Sequence, residues 1–148
     1  MSVPMLRTLF LLSTVFSATL CCSCRPTSPG NAFCNSDWVG IFQITDKITR
    51  MTSMEITYTV NVVKLFRAKY GTPRVGSTAT VATPSQSAAC GVDWLQKGKQ
   101  YLLNGSSKQK LDMSLCGQIQ AAEWRNVSQN VKNALQTGAY EPCYKQCN

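Results

Sequence analysis

The chain has 148 residues, 15 Lys+Arg against 7 Asp+Glu for a formal net charge of +8, eight cysteines and no histidine. Without histidine there is no Ser-His-Asp or Cys-His catalytic arrangement and no His-ligated catalytic zinc, so an enzyme is not expected. The positive charge is dispersed, which fits solubility, or adhesion to sulfated glycans, better than a nucleic-acid footprint with its basic groove and stacking aromatics.

Residues 1–21 read as a signal peptide to be removed. Arg7 gives a short positive start, Thr8–Phe16 ("TLFLLSTVF") is an apolar run too short to span a bilayer, and the small residues Ser17, Ala18 and Thr19 follow. Cleavage after Leu20 would set a bulky side chain against the scissile bond. Cleavage after Cys21 leaves Thr19 and Cys21 at the two positions that must be small. The expected mature chain is 22–148, long enough for one compact domain, secreted and extracellular, with no later membrane span. Seven cysteines then remain: Cys22, Cys24, Cys34, Cys90, Cys116, Cys143 and Cys147. In a secreted chain they imply a disulfide framework rather than a cysteine-only zinc site, and the odd count leaves one without an internal partner.

In chain order the expected strands are Trp38–Thr45, Glu55–Val62, Ser77–Thr83 after a Gly71–Pro73 turn, Gln100–Asn104 and Leu111–Cys116. The second alternates cleanly, with Ile56, Tyr58, Val60 and Val62 on one face and Thr57, Thr59 and Asn61 on the other. In the last, Leu111, Met113 and Leu115 share a face. Val127, Val131 and Leu135 then recur at four-residue spacing, with Asn126 or Ser128 as N-cap and Gly138 as stop, predicting a short amphipathic helix. The fold class that follows is all-β with a flanking α-helix, the simplest closure being a five-stranded closed β-barrel of the oligonucleotide/oligosaccharide-binding type. Two N-x-S sequons, at Asn104 and Asn126, mark candidate glycosylation sites.

The stretch "CSCRPTSPGNAFCNSD", with Cys22, Cys24, Pro26 and Cys34-Asn35-Ser36-Asp37, resembles the mature N-terminus of the tissue inhibitors of metalloproteinases. "SAACG" (Ser87–Gly91), "GKQYLLNG" and "LDMSLCGQIQAAEW" (Leu111–Trp124) are similar to later segments of the same family, and Cys143 stands where its sixth cysteine is expected. The resemblance implies a netrin-like module and the pairs Cys22–Cys90, Cys24–Cys116 and Cys34–Cys143, one of 15 connectivities that six cysteines allow. It also implies a single-domain form, because longer relatives continue into a second domain beyond the position of Asn148. Cys147 keeps several possible fates: free, paired between molecules, paired with a retained Cys21, or replacing Cys143 as partner of Cys34.

The resemblance further implies a protein inhibitor of matrix-metalloproteinase-type zinc proteases, with no cofactor of its own. Cys22 would chelate the protease's zinc through its α-amine and carbonyl oxygen, and Ser23 would enter the main specificity pocket. Cys24, Arg25 and Pro26 would lie along the cleft, with Ala88 and Ala89 filling the other side. The family usually carries a larger β-branched residue where Ala89 stands, a more polar one where Ala88 stands, and often an apolar one where Arg25 stands. The expectation is altered selectivity or weaker binding, with Arg25 favouring acidic clefts. The alternative reading is a non-inhibitory netrin-like extracellular module that binds a glycan, a receptor or an immune-modulating partner.

Overall fold

A computed structural model describes residues 22–69 and 71–143. The expected leader, Cys21 and Cys147 lie outside the described residues. The chain enters through an extended arm and turns into helix α1 (Pro29–Asn35). Ser28 caps it, its Oγ accepting from the Asn31 N–H at 3.3 Å, and Pro29 occupies the first turn, where a missing N–H costs nothing. The long strands β1 (Trp38–Arg50) and β2 (Glu55–Ala68) form an antiparallel hairpin with register shifts at Val39/Gly40, Ile41/Phe42 and Ile44/Asp46. Such irregularities bend and twist a sheet. β3 (Thr78–Pro84) pairs with β2, and β4 (Gln100–Gly105) pairs with the free edge of β1. Two short edges follow: β5 (Leu111–Asp112), parallel to β3, and β6 (Ala122–Glu123), antiparallel to β4.

The resulting order is β5-β3-β2-β1-β4-β6. The closed five-stranded barrel expected from the sequence is therefore replaced by a six-stranded sheet with two edges. Both edge strands are only two residues long, and among the described residues a single isolated bridge, Ser106 with Asp112, pairs β5 with the segment leaving β4. The architecture is otherwise as expected, mostly β with a C-terminal helix α2 (Gln129–Thr137). Gly138, at φ 72°, ends α2 in the left-handed region that glycine adopts without penalty.

Two apolar clusters flank the sheet. Trp38, Phe42 and Ile44 of β1 meet Ile56, Tyr58, Val60 and Val62 of β2, together with Val81, Tyr101 and Leu103, inside its curl. On the other side, Val39 and Leu102 pack with Ala32 and Phe33 of α1 and with Val127, Val131 and Leu135 of the α2 region. Burying each of the Val, Leu, Ile and Phe side chains among them stabilises the fold by roughly 1.5–3 kcal/mol. Burial also pushes the Tyr58 hydroxyl up to about 12, so it stays protonated and donates to the Val92 carbonyl at 2.8 Å, fixing the loop after Cys90 to the core.

Candidate functional site

Three disulfides join Cys22 to Cys90, Cys24 to Cys116 and Cys34 to Cys143, across sequence separations of 68, 92 and 109. The first two tie the arm to two different parts of the sheet's rim. Ser23, Cys24, Arg25 and Pro26 are exposed on the arm, Ala88 and Ala89 are exposed beside it, and Cys22 and Cys90 are half-buried between them. All seven residues singled out for protease contact thus lie along one outward ridge, brought together by the Cys22–Cys90 bond.

The loop side of the ridge is braced by backbone geometry. Ser87–Ala89 form a 3-10 turn ending at Cys90, whose left-handed φ of 58° reverses the chain so that its N–H reaches the Ser87 carbonyl at 3.0 Å. Gly91 follows where a Cβ would stand 1.9 Å from the Pro84 carbonyl oxygen, so only glycine lets the loop close on the end of β3. The Val92 N–H donates to the buried Thr83 Oγ1 at 3.0 Å, and the Ser85 N–H donates to Met54 at the tip of the β1–β2 hairpin at 2.8 Å.

The arm itself is held otherwise. Residues 22–27 contribute no side chain to either apolar cluster. Their hydrogen bond from Thr27 Oγ1 to the Arg25 carbonyl is internal, and among the described residues none but sulfur contacts joins them to the rest of the fold. Thr27 and Cys116 instead help to line a groove of about 560 Å³. The sulfurs of Cys22, Cys24, Cys90 and Cys116 all lie within 4.8 Å of one another. As disulfides they have no thiolate to offer a metal.

Sequence reasoning missed one contributor. Asn104, a sequon residue, is only 3% exposed. Its Nδ2 donates to Ser36 Oγ and to the Gly117 carbonyl, each at 2.8 Å, while its Oδ1 accepts from the Ile119 N–H at 2.9 Å. Gln118 completes the network, its Nε2 donating to the Asn104 and Ser114 carbonyls at 2.7 and 2.9 Å. This buried lattice fixes the Ser114–Ile119 segment, and with it Cys116 and the anchor of Cys24. It also consumes the amide that a glycan would need, whereas Asn126 is exposed. The only signal in the sequence was an amide inside an apolar strand, which the overlapping N-x-S pattern disguised.

An exposed arm bonded at two points to the rim of the sheet presents a covalently braced edge. Comparison with known proteins specifies the class. The family model for "Tissue inhibitor of metalloproteinase" matches residues 20–148, and the chain belongs to that family, one of metalloproteinase inhibitors and not enzymes. It is 27% identical over 151 residues to tag-225 of Caenorhabditis elegans, whose name provisionally marks it a metalloproteinase inhibitor; the match covers 87% of this chain and 94% of that one. Human metalloproteinase inhibitor 2 is 30% identical over 138 residues, covering 86% of this chain and 60% of its own. Metalloproteinase inhibitor 3 of Xenopus laevis is 30% identical over 137 residues, covering 83% and 60%. The chain thus spans nearly all of the nematode relative and about three-fifths of the two vertebrate ones. No helix among the described residues is long and apolar enough to cross a membrane.

Proposed function

We propose that the chain is exported, cleaved between Cys21 and Cys22, and inhibits zinc metalloproteinases through the ridge that begins at Cys22. The observation that carries this reading is the position of Cys22, bonded to Cys90 and flanked by the exposed Ser23–Pro26 and Ala88–Ala89 segments. In the uncleaved chain the Cys22 nitrogen is a peptide nitrogen. After cleavage it is an α-amine with an ordinary pKa of about 7.7–8.0, readily neutral near physiological pH.

That amine and the Cys22 carbonyl oxygen can close a five-membered chelate ring on a metal. A catalytic zinc with three protein ligands keeps one position open for such a donor. Immobilising a free terminus would cost roughly 1–2 kcal/mol per residue, and the two disulfides remove most of that cost before binding. Ser23 then points as the first side chain into the protease's specificity pocket, Arg25 and Pro26 continue along its cleft, and Ala88 and Ala89 cover the opposite side. The small alanines bury little area, and Arg25 favours a cleft with acidic walls.

The test compares inhibition of a matrix metalloproteinase by protein starting at Cys22 with inhibition by protein carrying one extra alanine before it. The extension is expected to weaken inhibition at least a hundredfold with disulfides and melting unchanged. Equal inhibition by both forms would sink the chelation mechanism. No inhibition by either across a panel would favour a netrin-like module that binds sulfated glycans or a receptor through its basic surface. Of the two sequons, Asn126 is assigned the glycan: enzymatic deglycosylation should convert Asn126 to Asp and leave Asn104 unchanged.

A further inference from the structure

The two ridge disulfides stand against each other. Cys116 Sγ is 3.3 Å from Cys90 Sγ, and Cys22 Sγ is 3.7 Å from Cys24 Sγ. These are the two contacts that would become bonds if the four sulfurs exchanged partners, from Cys22–Cys90 with Cys24–Cys116 to Cys22–Cys24 with Cys90–Cys116. Cys24 is exposed, so the cluster is accessible from solvent. Disulfides exchange through thiolate attack and a mixed-disulfide intermediate, at rates set by such access.

We infer that this four-sulfur cluster is an exchange switch that releases the N-terminal arm when a low-molecular-weight thiol acts on it. The thiolate attacks Cys24 Sγ, forming a mixed disulfide and breaking the bond to Cys116, whose sulfur leaves with the electron pair. Cys116 thiolate attacks Cys90 Sγ, forming Cys90–Cys116 and expelling Cys22 thiolate. Cys22 attacks Cys24 Sγ in the mixed disulfide, forming Cys22–Cys24 and returning the original thiolate. Two protein disulfides are present before and after. Nothing is oxidised or reduced overall, and the thiol is a catalyst.

The consequence follows from how the arm is held. No apolar side chain and no hydrogen bond among the described residues ties residues 22–27 to the fold, so loss of both bonds to the rim frees the arm. The rim keeps a bridge of its own between Cys90 and Cys116. Cys34 and Cys143 stand outside the cluster and do not take part. That release ends inhibition rests on the ridge being the inhibitory edge; the exchange itself does not.

The experiment is a disulfide map of the secreted chain. Free thiols are first blocked, the protein is incubated with substoichiometric cysteamine, and the reaction is quenched with N-ethylmaleimide and digested with trypsin at mildly acidic pH. The Arg25-Pro26 bond resists trypsin, so Cys22, Cys24 and Cys34 stay on peptide 22–47, while Cys90 lies on 75–97 and Cys116 on 111–125. In the starting form, 75–97 and 111–125 are both attached to 22–47. The expected result is a product in which they are joined to each other and detached from 22–47, with no gain in free thiol. Persistence of the starting map at every thiol concentration until free thiols appear would overturn the proposal. If exchange occurs and inhibition falls at least a hundredfold in the exchanged fraction, both readings stand. If exchange occurs and inhibition is undiminished, the switch stands and the chelation reading falls.

Discussion

At the Cys34–Cys143 bridge the chain is secured several times over. Phe33 packs its ring 5.6 Å from that of Tyr140, and Arg67 donates to the Ser36 carbonyl at 2.9 Å and to Glu141 Oε1 at 2.7 Å while lying 5.4 Å from the Phe33 ring. On the arm side of the Cys22–Cys90 and Cys24–Cys116 bridges nothing comparable exists among the described residues: Ser23–Thr27 are exposed, and sulfur contacts alone join residues 22–27 to the sheet's rim. On the proposed reading of the arm as a binding edge, the contrast has a physical reason. Side chains that must face a partner cannot also anchor the backbone that carries them, so covalent bonds do the anchoring where packing is unavailable. Elsewhere a disulfide only adds to contacts already present.

The sharpest way to break that comparison is to remove each bridge in turn. Chain entropy assigns both the 68-residue and 109-residue closures roughly 4–5 kcal/mol. Stability alone therefore predicts similar damage. Function should differ: Cys22→Ser/Cys90→Ser is expected to weaken inhibition more than a hundredfold, and Cys34→Ser/Cys143→Ser by no more than about threefold while the protein remains folded. Inhibition constants measured alongside thermal melts decide it, and equal losses of inhibition would show that the ridge is not specially dependent on its sulfurs.

A smaller effect is expected from Asn104→Ala. It leaves the buried Ile119 N–H without its acceptor and removes one donor each from the Gly117 carbonyl and from Ser36 Oγ, which keeps its bond to the Ala32 carbonyl, and should cost roughly 1–3 kcal/mol in a denaturant melt. Because the same network carries Cys116, inhibition should weaken several-fold as well. Unchanged inhibition with reduced stability would uncouple the network from the ridge.

The smallest effect lies at the packed end. The hydrogen bond from Lys69 at 2.8 Å, reinforced by the Ser107 N–H, holds the Asp37 carboxyl below its ordinary 3.8. A depressed folded value means stability that is present above 3.8 and lost as pH falls through the folded value. Asp37→Asn should flatten the fall in melting temperature on that acid side, by under about 1 kcal/mol because the pair is partly solvated. An unchanged acid limb would assign the loss to other carboxylates.

Where local pattern and tertiary demand agreed, the sequence was readable. The alternation of Ile56, Tyr58, Val60 and Val62 buries all four, and Val127, Val131 and Leu135 are buried in and beside α2 as their spacing requires. β1 runs on to Arg50 because pairing with β2 carries it past Asp46 and Lys47, whose charges concealed the strand. β5 stops at Asp112, since the chain must turn through Ser114–Gly117 to deliver Cys116, and Leu115 is left 40% exposed. α1 was not expected: it opens on Pro29 and Gly30, a pair that ordinarily marks a turn and here serves as a helix start. The ridge was legible as a set of cysteines. Its four-sulfur packing and its Asn104 brace were not, because each depends on contacts between segments remote in the chain.

The interleaved order of the three bridges bears on how the protein is made. Cys22, Cys24 and Cys34 all precede every one of their partners, the first of which is Cys90. At about 5–20 residues per second, the interval between the emergence of Cys34 and of Cys90 lasts several seconds. Throughout it, these three thiols stand on a nascent segment, beside that of Cys21, before any of their native partners has emerged. Maturation must therefore either shield these thiols until the first strands have been made or undo early pairings afterwards, and the yield of native protein should track the supply of disulfide isomerase.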